Sequence, residues 1–191
     1  MKTGLFFGSF NPIHNGHMLL ANYMLSFTDL ERLWFVVSPH NPLKEKSSLL
    51  ANNHRLELVK LAIGINNKMK ASNIEFKLTQ PSYTVNTLAH LQEKFPQNTF
   101  VLIMGSDNLQ SFHKWKNYEH ILEHYELYVY PRPGFDGGEL RNHKNVKFID
   151  APLVEISSTF IRNAIKNKKD VRYFMPESVF TYLDEMNFYK K

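Results

Sequence analysis

The chain has 191 residues, with 23 Lys and Arg against 18 Asp and Glu, a formal net charge of +5 and no cysteine. Since a chain of this length buries roughly 70% of its unfolded surface, it can form a core without cross-links, and we expect one domain spanning residues 1–191. The lack of cysteine excludes disulfides, thiolate metal sites and cysteine nucleophiles. No apolar run approaches the ~20 residues of a membrane span, and no secretory signal pattern is visible. We therefore expect a cytoplasmic protein with no membrane partner.

Short β-branched or aromatic runs alternate with longer amphipathic ones along the chain. In chain order they predict a strand at Thr3–Phe7, a helix at His17–Phe27, a strand at Leu33–Val37, a helix at His54–Ile65, a strand at Ile74–Thr79, a helix at Thr84–Phe95, a strand at Thr99–Met104, a helix at Tyr118–His124, strands at Glu126–Tyr130 and Val146–Ile149, and helices at Ser158–Asn167 and Glu177–Glu185. This alternation predicts a single Rossmann-like, doubly wound α/β domain whose mostly parallel sheet has helices on both faces. Such sheets bind ligands beyond the carboxyl ends of their strands, so the loops after strands are the expected place of a site.

The stretch Gly-Ser-Phe-Asn-Pro-Ile-His-Asn-Gly-His, from Gly8 to His17, joins the first predicted strand to the first helix. Gly8 lets the backbone approach a ligand. Because His14 and His17 lie three residues apart around Gly16, both imidazoles can face the same side of the helix start, where free N–H groups and the helix dipole favour an anion. The structural alternative is one capping and one exposed histidine. A zinc site is disfavoured, since neither a His-Glu-x-x-His pattern nor a third ligand is evident.

A second stretch, Ile-Ser-Ser-Thr-Phe-Ile-Arg at residues 156–162, follows the last predicted strand and begins a helix. Hydroxyls at a helix start usually only cap it. The functional interpretation is that Ser158, Thr159 and the first-turn N–H groups bind phosphate oxygens, while Arg162, one turn further on, directs its guanidinium to the same place. If both helix starts face one cleft, two anion sites converge there, as a triphosphate requires.

Together the two stretches resemble the His-x-Gly-His and Ile-Ser-Ser-Thr-x-x-Arg signatures of the nucleotidyltransferases that adenylylate or cytidylylate phosphates. Four further motifs resemble, in order and spacing, those of the bacterial nicotinate-nucleotide adenylyltransferases: Pro81-Ser82-Tyr83-Thr84, Gly105-Ser106-Asp107, Phe112-x-x-Trp115 and Arg132-Pro133-Gly134. The chain departs from the family pattern at Phe7, where many members have a second glycine, and at Asn11, where they have Asp. Asparagine keeps a hydrogen-bonding side chain but loses the charge.

The resemblance implies adenylyl transfer from ATP to nicotinate mononucleotide, which gives nicotinate adenine dinucleotide and pyrophosphate in NAD biosynthesis. It implies three catalytic residues, His14, His17 and Arg162. The residues it implies for ATP binding are Gly8, Ser9, Phe10, Gly16, Ser157, Ser158, Thr159 and, in the loop after the second strand, Lys44. Mg²⁺ is expected to arrive on the phosphates of ATP, so no metal-binding side chains are predicted.

The mononucleotide is assigned, by the same resemblance, to Asn11, Tyr83, Thr84, Asp107 and Trp115. Trp115 stands among polar neighbours, a setting that favours stacking on an electron-poor ring over burial in a core. The middle motifs resemble those of the acid-specific branch, which implies a preference for nicotinate over nicotinamide.

Three alternatives stay open. A pantetheine-phosphate adenylyltransferase or a cytidylyltransferase is disfavoured by Trp115 and the Pro-Ser-Tyr-Thr motif. A non-catalytic nucleotide sensor is disfavoured by the joint presence of the histidine pair and Arg162. An RNA-binding domain is disfavoured because the sequence has no strand motif that combines aromatic and basic residues. No nucleic acid is therefore expected as a partner. A homo-oligomer stays an alternative to a monomer.

Overall fold

The computed structural model describes residues 1–39 and 49–190. The predicted ATP contact Lys44 lies outside these residues. The strands and helices are β1 (Lys2–Gly8), α1 (Asn15–Phe27), β2 (Arg32–Val37), α2 (Asn52–Ile63), β3 (Met69–Ser72), α3 (Thr84–Lys94), β4 (Thr99–Gly105), α4 (Ser106–Gln110), α5 (Tyr118–His124), β5 (Glu126–Tyr130), β6 (Val146–Phe148), α6 (Ser158–Lys166) and α7 (Glu177–Glu185).

The six strands form one sheet in the order β3-β2-β1-β4-β5-β6, and every neighbouring pair is parallel. The predicted Rossmann-like α/β fold is therefore confirmed. Because the strand order reverses between β1 and β4, the carboxyl ends of these strands, at Gly8 and Gly105, flank the point where such sheets bind their ligands. Within the described part of the chain, no helix has the length and apolar character to cross a membrane.

Alternate side chains of the central strands enter two separate cores, one on each face of the sheet. On β1, Phe6 belongs to the core that also contains buried residues of α1, α2, α6 and α7. Its neighbour Leu5 belongs to the opposite core, which contains buried residues of α3, α4 and α5. This is the period-two alternation of a sheet covered on both faces. Helix α1, which begins at the histidine motif, and helix α6, which begins at the serine motif, therefore lie on the same side of the sheet.

The prediction of a strand at Ile74–Thr79 is wrong. The third strand is Met69–Ser72, a four-residue edge strand without a β-branched residue, and Ile74–Lys77 forms a 3₁₀ turn. Ile74 and Glu75 of this turn are both buried. The apolar residues of the turn imitate strand alternation, whereas the true strand is fixed by its pairing with β2, an example of tertiary contacts overriding local propensity.

Candidate active site

A cavity of about 750 Å³ lies at the switch point of the sheet, a volume typical of nucleotide-sized ligands. Its lining comes from the loop after β1, the start of α1, the residues that follow β4 and β5, and the segment that leads into α6. Of the predicted site residues, the lining contains Gly8, Ser9, Phe10, Asn11, His14, Gly16, His17, Asp107, Ser157, Ser158, Thr159 and Arg162.

The two histidines lie face to face at the start of α1. Their ring centroids are 3.8 Å apart and their planes differ by 32°. The backbone N–H of His14 donates to Nδ1 of His17 at 3.3 Å. Since Nδ1 is an acceptor, the neutral imidazole of His17 carries its proton on Nε2. The second histidine therefore caps the helix through one nitrogen and holds its ring in a defined tautomer.

His14 is 4% exposed. Burial, reinforced by the positive charge of Arg132, lowers its pKa to about 4, because burial disfavours the charged imidazolium. Among the described residues, its Nδ1 has no hydrogen-bond partner. His14 is therefore neutral at physiological pH before any ligand binds, and it cannot act as a general acid in that state.

Two glycines of the first motif make room for its own side chains. A side chain at Gly8 would place its Cβ 2.8 Å from Cζ of Phe10, and one at Gly16 would place its Cβ 3.1 Å from Nδ1 of His14. Phe10 has a φ of 45°, a left-handed conformation that bulky residues rarely adopt. Glycine at positions 8 and 16 therefore leaves room for the side chains of Phe10 and His14, in addition to the ligand access expected at Gly8.

The start of α6 is capped by Ser157, whose Oγ accepts the N–H of Phe160 at 3.1 Å. The hydroxyl of Ser158 donates to the carbonyl of Pro12 at 2.9 Å. Because this hydroxyl proton is already bonded, the donors that the turn offers to an anion are the backbone N–H groups of Ser158 and Thr159. First-turn N–H groups have no partner within the helix.

Arg162 joins α6 to the loop after β1. Its guanidinium donates to the carbonyl of Asn11 at 2.8 Å and to Oγ1 of Thr159 at 3.2 Å. These bonds use two of the five N–H groups of an arginine. The starts of α1 and α6, far apart in the sequence, therefore meet over one cavity, as the two motifs together predict.

The side chain of Asn11 is directed into the protein. It is 4% exposed, and its Oδ1 accepts the N–H of Leu50 at 3.1 Å and the hydroxyl of Tyr189 at 2.5 Å. The amide found where many family members have Asp thus fastens the loop after β1 to two other segments. Its assignment to the mononucleotide stays a prediction.

Arg55, in the first turns of α2, was not among the predicted site residues. It is fully buried, at 0% exposure, and burial lowers its pKa to about 10. Its five N–H groups donate to the carbonyls of Ser9 (2.6 Å), Ser38 (2.7 Å), Pro39 (2.8 Å) and Leu50 (3.0 Å) and to Oδ1 of Asn52 (2.7 Å). A buried guanidinium bonded to neutral oxygens holds the loops after β1 and β2 together. Nothing in the sequence distinguishes it from an exposed arginine on an amphipathic helix.

Arg132, in the Arg-Pro-Gly motif after β5, also lines the cavity without having been assigned a role. Its backbone N–H donates to Oγ of Ser106 at 2.9 Å, and its guanidinium lies 5.3 Å from the ring centre of Tyr130. A side chain at Gly105 would clash with Asp107 and lie 3.0 Å from Cγ of Arg132. The Gly-Ser-Asp and Arg-Pro-Gly motifs therefore pack against each other at this edge of the cavity.

The other predicted mononucleotide residues, Tyr83, Thr84 and Trp115, lie outside the described cavity lining. Tyr83 is 40% exposed and precedes α3. Trp115 is half-buried, with its ring centroid 5.0 Å from that of Phe112, and Nζ of Lys116 lies 4.5 Å from the Tyr83 ring centre. The contact of Lys116 with Tyr83 brings the start of α3 near the segment of Trp115, and the assignment of Tyr83, Thr84 and Trp115 to the mononucleotide stays a prediction.

The sequence model of the cytidylyltransferase-like family matches residues 5–164 of this chain. A probable nicotinate-nucleotide adenylyltransferase of Christiangramia forsetii is 60% identical over 191 residues, covering 99% of this chain and 98% of the relative. A second, of Flavobacterium psychrophilum, is 58% identical over the full length of both chains. The chain belongs to the nicotinate-nucleotide adenylyltransferase family. The fold is also that of the Plasmodium falciparum nicotinic acid mononucleotide adenylyltransferase solved with NaAD, with a TM-score of 0.83, 20% identity, and coverage of 99% of this chain and 97% of that one.

Proposed function

We propose that this chain transfers the adenylyl group of ATP to nicotinate mononucleotide and releases pyrophosphate, as a step of NAD biosynthesis. The observation that carries the proposal is the junction of α1 and α6 over one cavity, made by the bonds from Ser158 to Pro12 and from Arg162 to Asn11. Two helix starts, each with an adjacent ring or guanidinium, form a site suited to a polyphosphate. Two relatives that are 60% and 58% identical to this chain are named probable nicotinate-nucleotide adenylyltransferases.

The attacking group in this reaction is an oxygen of the mononucleotide phosphate. Its second pKa of ~6 leaves it mostly dianionic at neutral pH. A bond forms between this oxygen and the α-phosphorus of ATP, and the bond from the α-phosphorus to the bridging oxygen breaks, so that its electron pair leaves with pyrophosphate. No proton has to move, which agrees with a His14 that burial keeps neutral through a pKa of about 4.

The protein therefore contributes alignment and charge stabilisation. In our assignment, Nε2–H of His17 and the imidazole of His14 bind phosphate oxygens near the α-phosphorus. The backbone N–H groups of Ser158 and Thr159 bind the β- and γ-phosphates, and Arg162 stabilises the charge that develops on pyrophosphate. Gly8, in the same lining, lies at the carboxyl end of β1 beside these groups.

Mg²⁺ enters this scheme as part of the ATP substrate. The described lining includes the carboxylates of Asp107 and Glu155, and Mg²⁺ usually keeps several waters and is held mainly through substrate phosphates. When bound, the ion would neutralise part of the phosphate charge, and the residues above would orient the chain of phosphates.

An acceptor panel tests the proposal. Purified protein with ATP and Mg²⁺ is offered nicotinate mononucleotide, nicotinamide mononucleotide or phosphopantetheine, and pyrophosphate release is measured for each. We expect the fastest release with nicotinate mononucleotide and formation of the corresponding dinucleotide. Faster release with phosphopantetheine would assign the chain to a sister activity, and no release with any acceptor would support a nucleotide sensor.

A further inference from the structure

The segment that follows α7 reaches the active site from the far end of the chain. The hydroxyl of Tyr189 donates to Oδ1 of Asn11, 178 positions away in the sequence, at 2.5 Å. Burial raises the pKa of Tyr189, so the phenol stays protonated and remains a donor throughout the physiological range. The side chain is half-buried and packs against the core that contains buried residues of α1 and α6.

Asn11 connects this hydroxyl to the phosphate site. While its side chain accepts from Tyr189, its own carbonyl accepts from Arg162 at 2.8 Å. The next carbonyl along, that of Pro12, accepts from Ser158 at 2.9 Å. A contact made by the C-terminal segment thus fixes the peptide on which both α6 contacts depend.

Two positive charges near the phenol agree with its position beside the loop after β1. Both Arg162 and Arg55 act on Tyr189 electrostatically, and both oppose the rise in its pKa. The positive charges of α6 and α2 are therefore both close enough to the phenol to act on its proton. Tyr189 is absent from the described cavity lining, so any effect on the reaction must pass through a neighbour.

We propose that Tyr189 is a positioning residue for catalysis, which holds Asn11 so that Arg162 reaches the pyrophosphate end of ATP. This inference rests on the proposed function, because it uses the role given there to Arg162. It assigns to the C-terminal segment a part in the chemistry that no motif of the sequence indicates.

The chain offers a matched control in Tyr182 of α7. Its hydroxyl and Nδ1 of His54 are 2.9 Å apart, in a hydrogen bond that joins the C-terminal region to α2 rather than to the loop after β1. Neither of these two residues lines the described cavity. Tyr182→Phe and Tyr189→Phe thus remove one comparable hydroxyl each, and only the second of these is bonded to Asn11.

The test measures kcat, both KM values and the melting temperature of wild type and the two variants. For Tyr189→Phe we expect kcat to fall about tenfold and the KM for ATP to rise about threefold, the size of effect that one lost hydrogen bond can produce, with the KM for the mononucleotide within twofold of wild type. For Tyr182→Phe we expect all three kinetic constants to stay within twofold. Comparable shifts in melting temperature for the two variants would show that stability is not the cause. In an Asn11→Ala background, Tyr189→Phe should add less than twofold, because coupled contacts are not additive.

A kcat of Tyr189→Phe within twofold of wild type, or an equal loss in Tyr182→Phe, would overturn the inference. The wild-type measurement separately tests the proposed function, which fails if no dinucleotide forms. In that case calorimetry with α,β-methylene-ATP still tests Tyr189. Binding at least threefold weaker in Tyr189→Phe than in Tyr182→Phe supports the inference, and equal affinities contradict it.

Discussion

The two ends of the proposed substrate site are built differently. At the phosphate end, the loop after β1 and the start of α6 are joined by hydrogen bonds to main-chain carbonyls, such as those from Arg162 to Asn11 and from Ser158 to Pro12. At the ring end, Tyr83 is 40% exposed and Trp115 is half-buried against Phe112, on a surface outside the described cavity. One end is held together by hydrogen bonds before the substrate binds, whereas the other presents side chains on the surface.

This difference indicates how the two ends divide the work. Groups held by main-chain bonds can be aligned with a transition state, where sub-ångström placement affects the rate of the chemical step. Exposed aromatic rings contribute stacking that a bound substrate and its transition state share equally, which changes KM rather than kcat. We therefore expect substitutions at the phosphate end to lower kcat and those at the ring end to raise the KM for the mononucleotide.

The largest effect is expected for His17→Ala. Loss of the Nε2–H donor should lower kcat about 10²- to 10³-fold, the usual cost of removing a preorganised donor, while circular dichroism and melting temperature show an intact fold. His120→Ala, at an exposed position on α5, is the control and should keep wild-type turnover. Near-normal turnover of His17→Ala would remove His17 from the mechanism.

Arg162→Lys should have the next largest effect. Lysine keeps the positive charge but cannot bond Asn11 and a phosphate in the fixed fork of a guanidinium, so we expect kcat to fall about 10- to 100-fold. Arg172→Lys serves as the control, because Arg172 is an exposed arginine paired with Asp170. Steady-state kinetics of both variants checks this, and equal turnover in the two would mean that Arg162 acts only as a charge.

Trp115→Ala should affect the ring end alone. Removal of a stacking platform should raise the KM for nicotinate mononucleotide about tenfold and leave the KM for ATP and kcat within about twofold. Trp115→Phe retains an aromatic ring and should recover part of the lost affinity. A fall in kcat without any change in the mononucleotide KM would contradict the division between the two ends.

The last expected effect is on the pH dependence of stability and leaves the division between the two ends untouched. The pKa of His14 is lowered to about 4 in the folded chain, below the ~6.5 of an unfolded histidine. Between these values the unfolded state binds more protons, so the stabilisation from keeping His14 neutral is complete above about pH 6.5 and is lost as the pH falls toward 4.

His14→Asn should therefore flatten the dependence of the unfolding free energy on pH between about 4 and 6.5, by at most about 3 kcal/mol. Chemical denaturation at several pH values measures it, with His124→Asn as an exposed control. An unchanged slope in His14→Asn would mean that the pKa of this imidazole is not lowered in the folded chain.

The meeting of the two motifs over one cavity could be predicted from the sequence because its signals are local. His14 and His17 are one helical turn apart, and so are Ser158 and Arg162, so each pair shares a helix face whatever the rest of the fold does. Their meeting follows from the doubly wound topology, which places the starts of both helices at the carboxyl edge of one sheet.

The remaining features depend on contacts that no local pattern encodes. Arg55 and Lys60 are both basic residues of α2, but Arg55 is buried and Lys60 is exposed. Only the loops after β1 and β2, which converge on Arg55, distinguish the two positions. Tyr189 lies in the tail 178 positions from its partner Asn11. The edge strand Met69–Ser72 has no β-branched residue and owes its conformation to the pairing with β2.

The most direct test of the account is a crystal structure of the protein with α,β-methylene-ATP and Mg²⁺. We predict that its phosphates lie between the two helix starts, with Nε2 of His17, the backbone N–H groups of Ser158 and Thr159, and the guanidinium of Arg162 within hydrogen-bond distance of their oxygens. Phosphates bound elsewhere, for example in the basic cleft between the ends of α6 and α7 around Lys168 and Arg172, would contradict it.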